Sequence, residues 1–372
     1  MVTQTNGMLS SGGGRRKSHG KTVVFILSGI PGGSSSGSAA AVASYEWLDF
    51  ALGTDTTGSA KIPAMLNGCF SLRPTVGAVS TEGIVATDPA FDVPALFGRD
   101  LSLFQTFASA WYSLPETETS PSKPVAVLFP PDFYPTNNTK QMKLLESFAS
   151  DLATMLGTSV QRMSIADAWT KTTSVEEKGL KQYLYNSTAH SFYYSAYHSF
   201  DDFRTSYKES FEKNPFITEY VRWIWNIGLQ VTPSEHSEMV SRLKIFKTWF
   251  LRHYMDSEKQ TAIVLLPVDE VHPNYRDQYP SLPVAPVLGL RTTCLSPFLG
   301  APELTIPISS LPFQSRLSNI TEVLPVVMSL MGAPGTDFEL IEMALRCLQE
   351  TGRPFKVNTG GRMFTTPVQM EW

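Results

Sequence analysis

Two short glycine-serine segments, Gly32-Gly-Ser-Ser-Ser-Gly-Ser38 and Gly53-Thr-Asp-Thr-Thr-Gly-Ser59, constrain this chain more than any other feature. Glycine loses the most backbone entropy on ordering, so such segments in an otherwise apolar chain exist to let main chain approach something closely. Both are flanked in the same way. Thr22–Leu27 is a β-branched and aromatic run that predicts a buried strand, and Ala39–Trp47 predicts an alanine-rich helix after the first segment. Asp49–Gly53 predicts a second strand, and Ile62–Leu66 a second helix beyond the second segment. Strand, turn and helix thus recur, which is the pattern of an α/β fold.

The rest of the chain continues the alternation. Lys123–Phe129 predicts a strand, and Gln141–Leu156 an amphipathic helix with Leu144, Leu145, Phe148, Leu152 and Leu156 on one side. Residues 168–258 are helical in period and rich in aromatics, among them Tyr193, Tyr220, Trp223, Trp225, Trp249 and Phe250. Core packing is the first explanation for these rings, and some could wall a pocket for an apolar or aromatic ligand. Thr261–Pro267, Leu304–Ile308 and Leu324–Met328 predict core strands. A last helix is expected from Gly335 to about Glu350, where Thr336 and Glu339 have capping-box spacing.

Composition narrows the classes. With 42% apolar and 17% charged residues in 372, the chain can bury a large core, which excludes wholesale disorder. Thirty basic against 34 acidic residues leave a net charge of −4 and no basic stripe, so nucleic acid is not an expected partner. Cys69, Cys294 and Cys347 form no C-x-x-C pair, so neither a disulfide framework nor a cysteine zinc site is expected, and no metal or other cofactor is called for. No apolar run approaches the roughly 18 residues of a membrane span, and Val23–Leu27 is too short for the core of a signal peptide. The expectation is a soluble, cytoplasmic protein without a membrane partner. Residues 1–22 read as a polar tail without fixed structure, and 353–372 as a C-terminal tail. Gly14–Thr22 resembles a phosphate-binding loop, but its glycines enclose five residues instead of four and it reads as coincidence.

Chemistry is expected at the two turns. Successive amides at Thr56, Thr57, Gly58 and Ser59 could form a nest for a developing oxyanion, with Ser59 as the attacking hydroxyl. A serine needs a neighbour to take its proton, and none of the six histidines lies near either turn. Lysine is the known alternative base. A second arrangement is Gly33-Ser-Ser35-Ser-Gly37 as the G-x-S-x-G elbow of an α/β-hydrolase, with His272 as base, although the elbow needs a strand feeding directly into the turn.

Pro31-Gly-Gly-Ser-Ser-Ser-Gly-Ser-Ala-Ala-Ala-Val-Ala43, followed by Leu48-Asp-Phe-Ala-Leu-Gly-Thr-Asp-Thr-Thr-Gly-Ser59-Ala-Lys-Ile-Pro63, resembles the amidase signature enzymes. The likeness continues through Gly68–Ser80 and Phe91–Asp100 to Gly300–Pro307, and is nearest to the plant indoleacetamide-type amidases and their fungal relatives. The resemblance implies a three-layer α/β/α fold around a large mixed sheet, spanning 23–352, and the aromatic-rich helical stretch 168–258 is expected to shape the substrate pocket. It implies hydrolysis of a small aryl or alkyl amide by a serine, cis-serine, lysine triad; a homodimer is the candidate assembly. Ser59 aligns with the nucleophile and Ser34 with the cis-serine that relays its proton. Thr56, Thr57 and Gly58 align with the oxyanion hole, and Ser35 and Asp55 with supporting positions.

The sequence also departs from the family. The family lysine lies upstream in a Val-Lys-Asp-like strand, whereas only Lys17 and Lys21 precede Ser34 here, neither in that context. The expectation is an N-terminally truncated fold with no assigned catalytic lysine, weak or inactive as an amidase. The alternative is a catalytically dead amidase fold serving as a binding or scaffold protein. Thr57 stands where glycine is usual, which demands either crowding or a changed backbone angle, and Lys61 stands where arginine is usual. One residue more separates the two turns than in the family.

Overall fold

The strands β1 (Phe50–Asp55), β2 (Phe70–Arg73), β3 (Val93–Gly98), β4 (Val125–Phe129), β5 (Val160–Arg162), β6 (Thr261–Leu266), β7 (Glu303–Gln314) and β8 (Thr321–Met331) make one eight-stranded sheet. Their order is β1-β3-β2-β7-β8-β6-β4-β5. The structure, a computed structural model, describes residues 29–112, 125–135, 137–255, 261–278, 289–361 and 363–364. The sheet is mixed: β4 runs parallel to β5 and β6, while β1, β3, β2, β7, β8 and β6 pair antiparallel in turn. The strand expected at Thr22–Leu27, the loop-like Gly14–Thr22, and Lys17 and Lys21 lie outside the described residues.

Period-two alternation explains the layers. Side chains along a strand point to opposite faces. Val127 and Phe129 of β4 and Ile263 and Leu265 of β6 pack with the helices Phe104–Trp111, Thr139–Met155 and Asp337–Glu350. Their neighbours Ala126, Leu128, Ala262, Val264 and Leu266 pack instead with Ile165–Thr172, Pro233–Tyr254 and Thr292–Leu299. Both faces are covered, which is why these strands read as continuous apolar runs. This is the expected α/β architecture with helices on both sides of a large mixed sheet.

Several elements differ from their sequence expectation. β7 and β8 extend to 12 and 11 residues, well beyond Leu304–Ile308 and Leu324–Met328, as a long hairpin whose turn carries Asn319 at φ 58°. β2, β3 and the helix Thr292–Leu299 were not anticipated: β2 is four residues long, β3 contains Pro94, and the helix contains Pro297. The Thr336 hydroxyl donates to Ala333 O and makes no cap, so the capping box expected there does not form. It forms instead at Thr232–Glu235, where the Thr232 amide donates to Glu235 Oε2 at 2.8 Å and the Glu235 amide to Thr232 Oγ1 at 3.3 Å.

Within 168–258 the described aromatics divide between interior and surface, with Tyr185, Phe203, Phe211 and Phe216 exposed. Trp169, Phe246, Trp249 and Phe250 belong to the layer behind β4 and β6, while Tyr193 and Trp225 centre a smaller cluster of their own. The described part of 353–364 is held to the core: Arg353 Nε donates to Asp151 Oδ2 at 2.8 Å, and the Val357 amide to Arg99 O at 2.8 Å. Among the described residues no helix is long and apolar enough to cross a membrane.

Candidate active site

The first turn delivers helix α1 (Ser36–Ser44), and β1 delivers the second turn and helix α2 (Lys61–Asn67). Gly32 takes φ +75°, a backbone conformation that side chains with a Cβ rarely adopt, so glycine is favoured there. The Gly33–Ser34 peptide is cis. The Ser35 hydroxyl is clamped to the edge strand, donating to Thr54 O at 2.9 Å and accepting from the Thr54 amide at 3.0 Å. A Cβ on Gly53 would sit 2.6 Å from Ser35 Oγ, so the bare backbone of β1 is what lets this clamp close. The Ser35 amide also donates to Ser59 O at 3.1 Å, tying one turn to the other.

These contacts bring two hydroxyls together. Ser34 Oγ donates to Ser59 Oγ at 3.0 Å, in a partly buried position that remains accessible. Asp55, fully buried, shapes the turn before Ser59: its Oδ1 accepts from the Gly58 amide at 3.1 Å and its Oδ2 from the Ala60 amide at 2.8 Å. Arg73 Nη1 donates to the same carboxylate at 2.8 Å and Arg73 Nη2 to Phe91 O at 2.8 Å. Burial pushes the Asp55 carboxyl up, but the charges of Lys61 and Arg73 and the Ala60 amide outweigh it and hold it below the ordinary range.

The Thr56 hydroxyl donates to Asp92 Oδ1, and Asp92 Oδ2 accepts from the Thr87 amide at 2.7 Å and the Asp88 amide at 2.9 Å. Burial raises the Asp92 carboxyl even so. Gly58 carries φ +129°, and a Cβ there would meet Thr293 Cβ at 2.9 Å. Thr57 does not need the left-handed region, since among the described non-glycine residues only Glu212 and Asn319 have positive φ. The Thr56, Thr57 and Ser59 amides find no acceptor among the described residues, whereas the Gly58 amide is turned to Asp55.

Lys61 is the buried amine of this region, and it faces elsewhere. Its three N–H donors are all used, on Glu303 Oε2 at 2.8 Å, Thr293 O at 2.7 Å and Ser296 Oγ at 3.0 Å. Three acceptors thus converge on one point charge. Among the described residues no lysine amine bonds Ser34 or Ser59. The elbow arrangement is not formed. The Ser35 hydroxyl is spent on Thr54, and the exposed His272 ring bonds Glu270 O at 2.9 Å.

Sequence reasoning did not assign Arg73, Asp92, Thr293 and Glu303. The signal for Glu303 was a carboxylate inside the apolar run Gly300–Pro307, which in a core strand demands a cation. Arg73 ends a strand that is buried at every position, and its charge there demands an anion in the same way.

Fold and turns together define an α/β protein built on a mixed sheet, with two glycine-serine turns meeting at one end of it. The model of one family, Amidase, matches residues 24–341, and the chain belongs to the amidase signature family. Amidase 1 of Oryza sativa subsp. japonica is 43% identical over 105 residues, 28% of this chain and 23% of that protein. Amidase 1 of Arabidopsis thaliana is 52% identical over 71 residues, 19% of this chain and 16% of that protein. The matched sequence thus spans less than a quarter of either relative's length. In the fold comparison, a crystal structure of amidase aligns with TM-score 0.63 at 21% identity, over 89% of this chain and 68% of that one.

Proposed function

We propose that this chain carries the amide-hydrolysing site of its family, with Ser59 as nucleophile and Ser34 as proton relay. The observation that supports the reading is the 3.0 Å hydrogen bond between the two hydroxyls, beside amides that lack an acceptor. In this reading Ser59 Oγ attacks the carbonyl carbon of a small amide, and its proton passes to Ser34 Oγ as Ser34 gives its own to the base. The oxyanion is received by the Thr56, Thr57 and Ser59 amides, and Gly58 supplies the turn that aims them. Collapse breaks the C–N bond, the leaving amine takes a proton back through Ser34, and water then cleaves the acyl-Ser59 ester to the carboxylic acid. The base is the lysine that the family resemblance implies, which has no assignment among the described residues. Asp55 acts as a positioning residue, because it holds the Gly58 and Ala60 amides on either side of Ser59.

A second reading, a binding protein on the same fold, rests on one observation: Lys61 is saturated by Glu303, Thr293 and Ser296, so no described amine serves Ser34. Ammonia release from benzamide or indoleacetamide by the purified chain separates the two. Turnover that disappears in Ser59→Ala supports the enzyme; amide binding with no turnover supports the binding protein.

A further inference from the structure

A second cleft, of about 430 Å³, opens between the segment Asp88–Phe91, the helix Pro233–Tyr254 and the C-terminal end of the helix Thr292–Leu299. It shares no residue with the Ser34–Ser59 pair or with the amides around Ser59, and its volume is in the range of small-molecule sites. Its walls are apolar: Phe91, Leu243 and Phe298 are buried and line it, and the Phe91 and Phe298 rings lie 5.3 Å apart.

The polar groups on this cleft are not equivalent. Asp88 is already engaged, its Oδ1 accepting from the Ala90 amide at 3.1 Å and its carboxylate from the Ser195 hydroxyl. His236 Nδ1 bonds His190 O at 2.8 Å, and its ring is stacked on Tyr194. Lys247 differs. It is half-buried, its ammonium rests against Gly300 where a Cβ would come within 2.9 Å, and it has no hydrogen bond or ion pair among the described residues. Lys244, one turn earlier on the same helix, stands at the exposed rim of the cleft. Burial without a partner lowers the Lys247 amine from its ordinary value.

An unpartnered, half-buried cation at an apolar cavity selects for a ligand with an apolar body and one anionic end. The geometry points to a second binding site for a small aryl or alkyl carboxylate, its ring between Phe91, Leu243 and Phe298 and its carboxylate on Lys247. The site is independent of the catalytic reading above, because none of the residues proposed for hydrolysis contributes to it.

Calorimetric titration of the full chain carrying Ser59→Ala, with phenylacetate, phenylacetamide and inorganic phosphate in turn, tests the inference. Phenylacetate binds at one site, on the order of tenfold tighter than the isosteric neutral amide, since a charged hydrogen bond is lost with the charge. Phosphate binds more weakly than phenylacetate, because it leaves the apolar walls unfilled. Lys247→Met weakens phenylacetate by about tenfold while keeping or raising the melting temperature, because it removes a charge without a partner. Leu243→Trp, which intrudes on the cleft beside the Phe91 and Phe298 rings, weakens phenylacetate by at least about tenfold with the fold retained by circular dichroism. Equal affinity for acid and amide, phosphate binding as tightly as phenylacetate, no binding of phenylacetate at all, or unchanged affinity in both variants overturns it. Restoring Ser59 leaves the carboxylate affinity unchanged; a change larger than threefold would place the ligand at the serine pair and contradict the assignment.

Discussion

Ser34 Oγ and Ser59 Oγ, 25 positions apart in sequence, are joined by a 3.0 Å hydrogen bond. Nothing in either hydroxyl alone makes it reactive; the pairing is created by the Ser35 clamp on β1 and by the Asp55 carboxylate in the following turn. If that pair is the reacting centre, Ser59→Ala and Ser34→Ala each lower amide turnover by at least about 10³-fold. The double variant is no worse than the more damaged single one, because the two act as a unit. Steady-state ammonia release from all three variants checks this; additive losses would contradict it.

Gly53→Ala tests the clamp without touching a hydroxyl. The new Cβ meets Ser35 Oγ at 2.6 Å and Phe97 Cε2 at 2.8 Å, both in a packed region. Overpacking of this kind costs about 1–3 kcal/mol, and here it also pushes Ser35 from Thr54. Urea denaturation should show the loss, and turnover should fall further than stability does. A variant as stable and as active as the parent would mean that the clamp positions nothing.

The buried ion pair of Lys61 and Glu303 gives a third test. Removing one partner leaves an uncompensated buried charge, so Lys61→Met or Glu303→Leu costs about 3–5 kcal/mol. The double variant Lys61→Met/Glu303→Leu recovers most of that loss, because two apolar side chains of similar volume replace the pair. A double-mutant cycle by chemical denaturation measures the coupling.

The pH dependence follows from the carboxylates, with opposite signs. The folded state lowers the Asp55 carboxyl below its ordinary value of 3.8, so Asp55 contributes stability that is present above about pH 4 and is lost as pH falls through the lower folded value. Asp92 is raised by burial from 3.8; its unfavourable contribution is present above the folded value and disappears as pH falls toward 3.8. Asp55→Asn therefore destabilises at pH 7 and flattens the acid limb of the stability curve, while Asp92→Asn flattens the fall in stability just above pH 4. Urea midpoints from pH 3 to 8 resolve the two.

Much of this was legible in the sequence because it rests on local chemistry. The glycine-serine turns announced the backbone approach, and the apolar runs at β4 and β6 announced strands. Ser34, Ser35 and Ser59 could be named from their motifs, yet only three dimensions show that Ser35 is held by Thr54 while Ser34 meets Ser59. The short β2, the Pro94-containing β3 and the Pro297-containing helix were invisible to periodicity, since tertiary pairing stabilises what local propensity opposes. The cap misjudged at Thr336 has the same origin: Asp337 is drawn to the Thr75 amide at 2.8 Å and the Tyr112 hydroxyl at 2.7 Å, a long-range demand that no spacing rule contains.

Which hydroxyl is reactive is decided most directly by treating the purified chain with a fluorophosphonate and mapping the modified peptide by mass spectrometry. The account predicts a single adduct on Ser59, formed more slowly in Ser34→Ala. An adduct on Ser35, or no adduct on Ser59 at all, would contradict it.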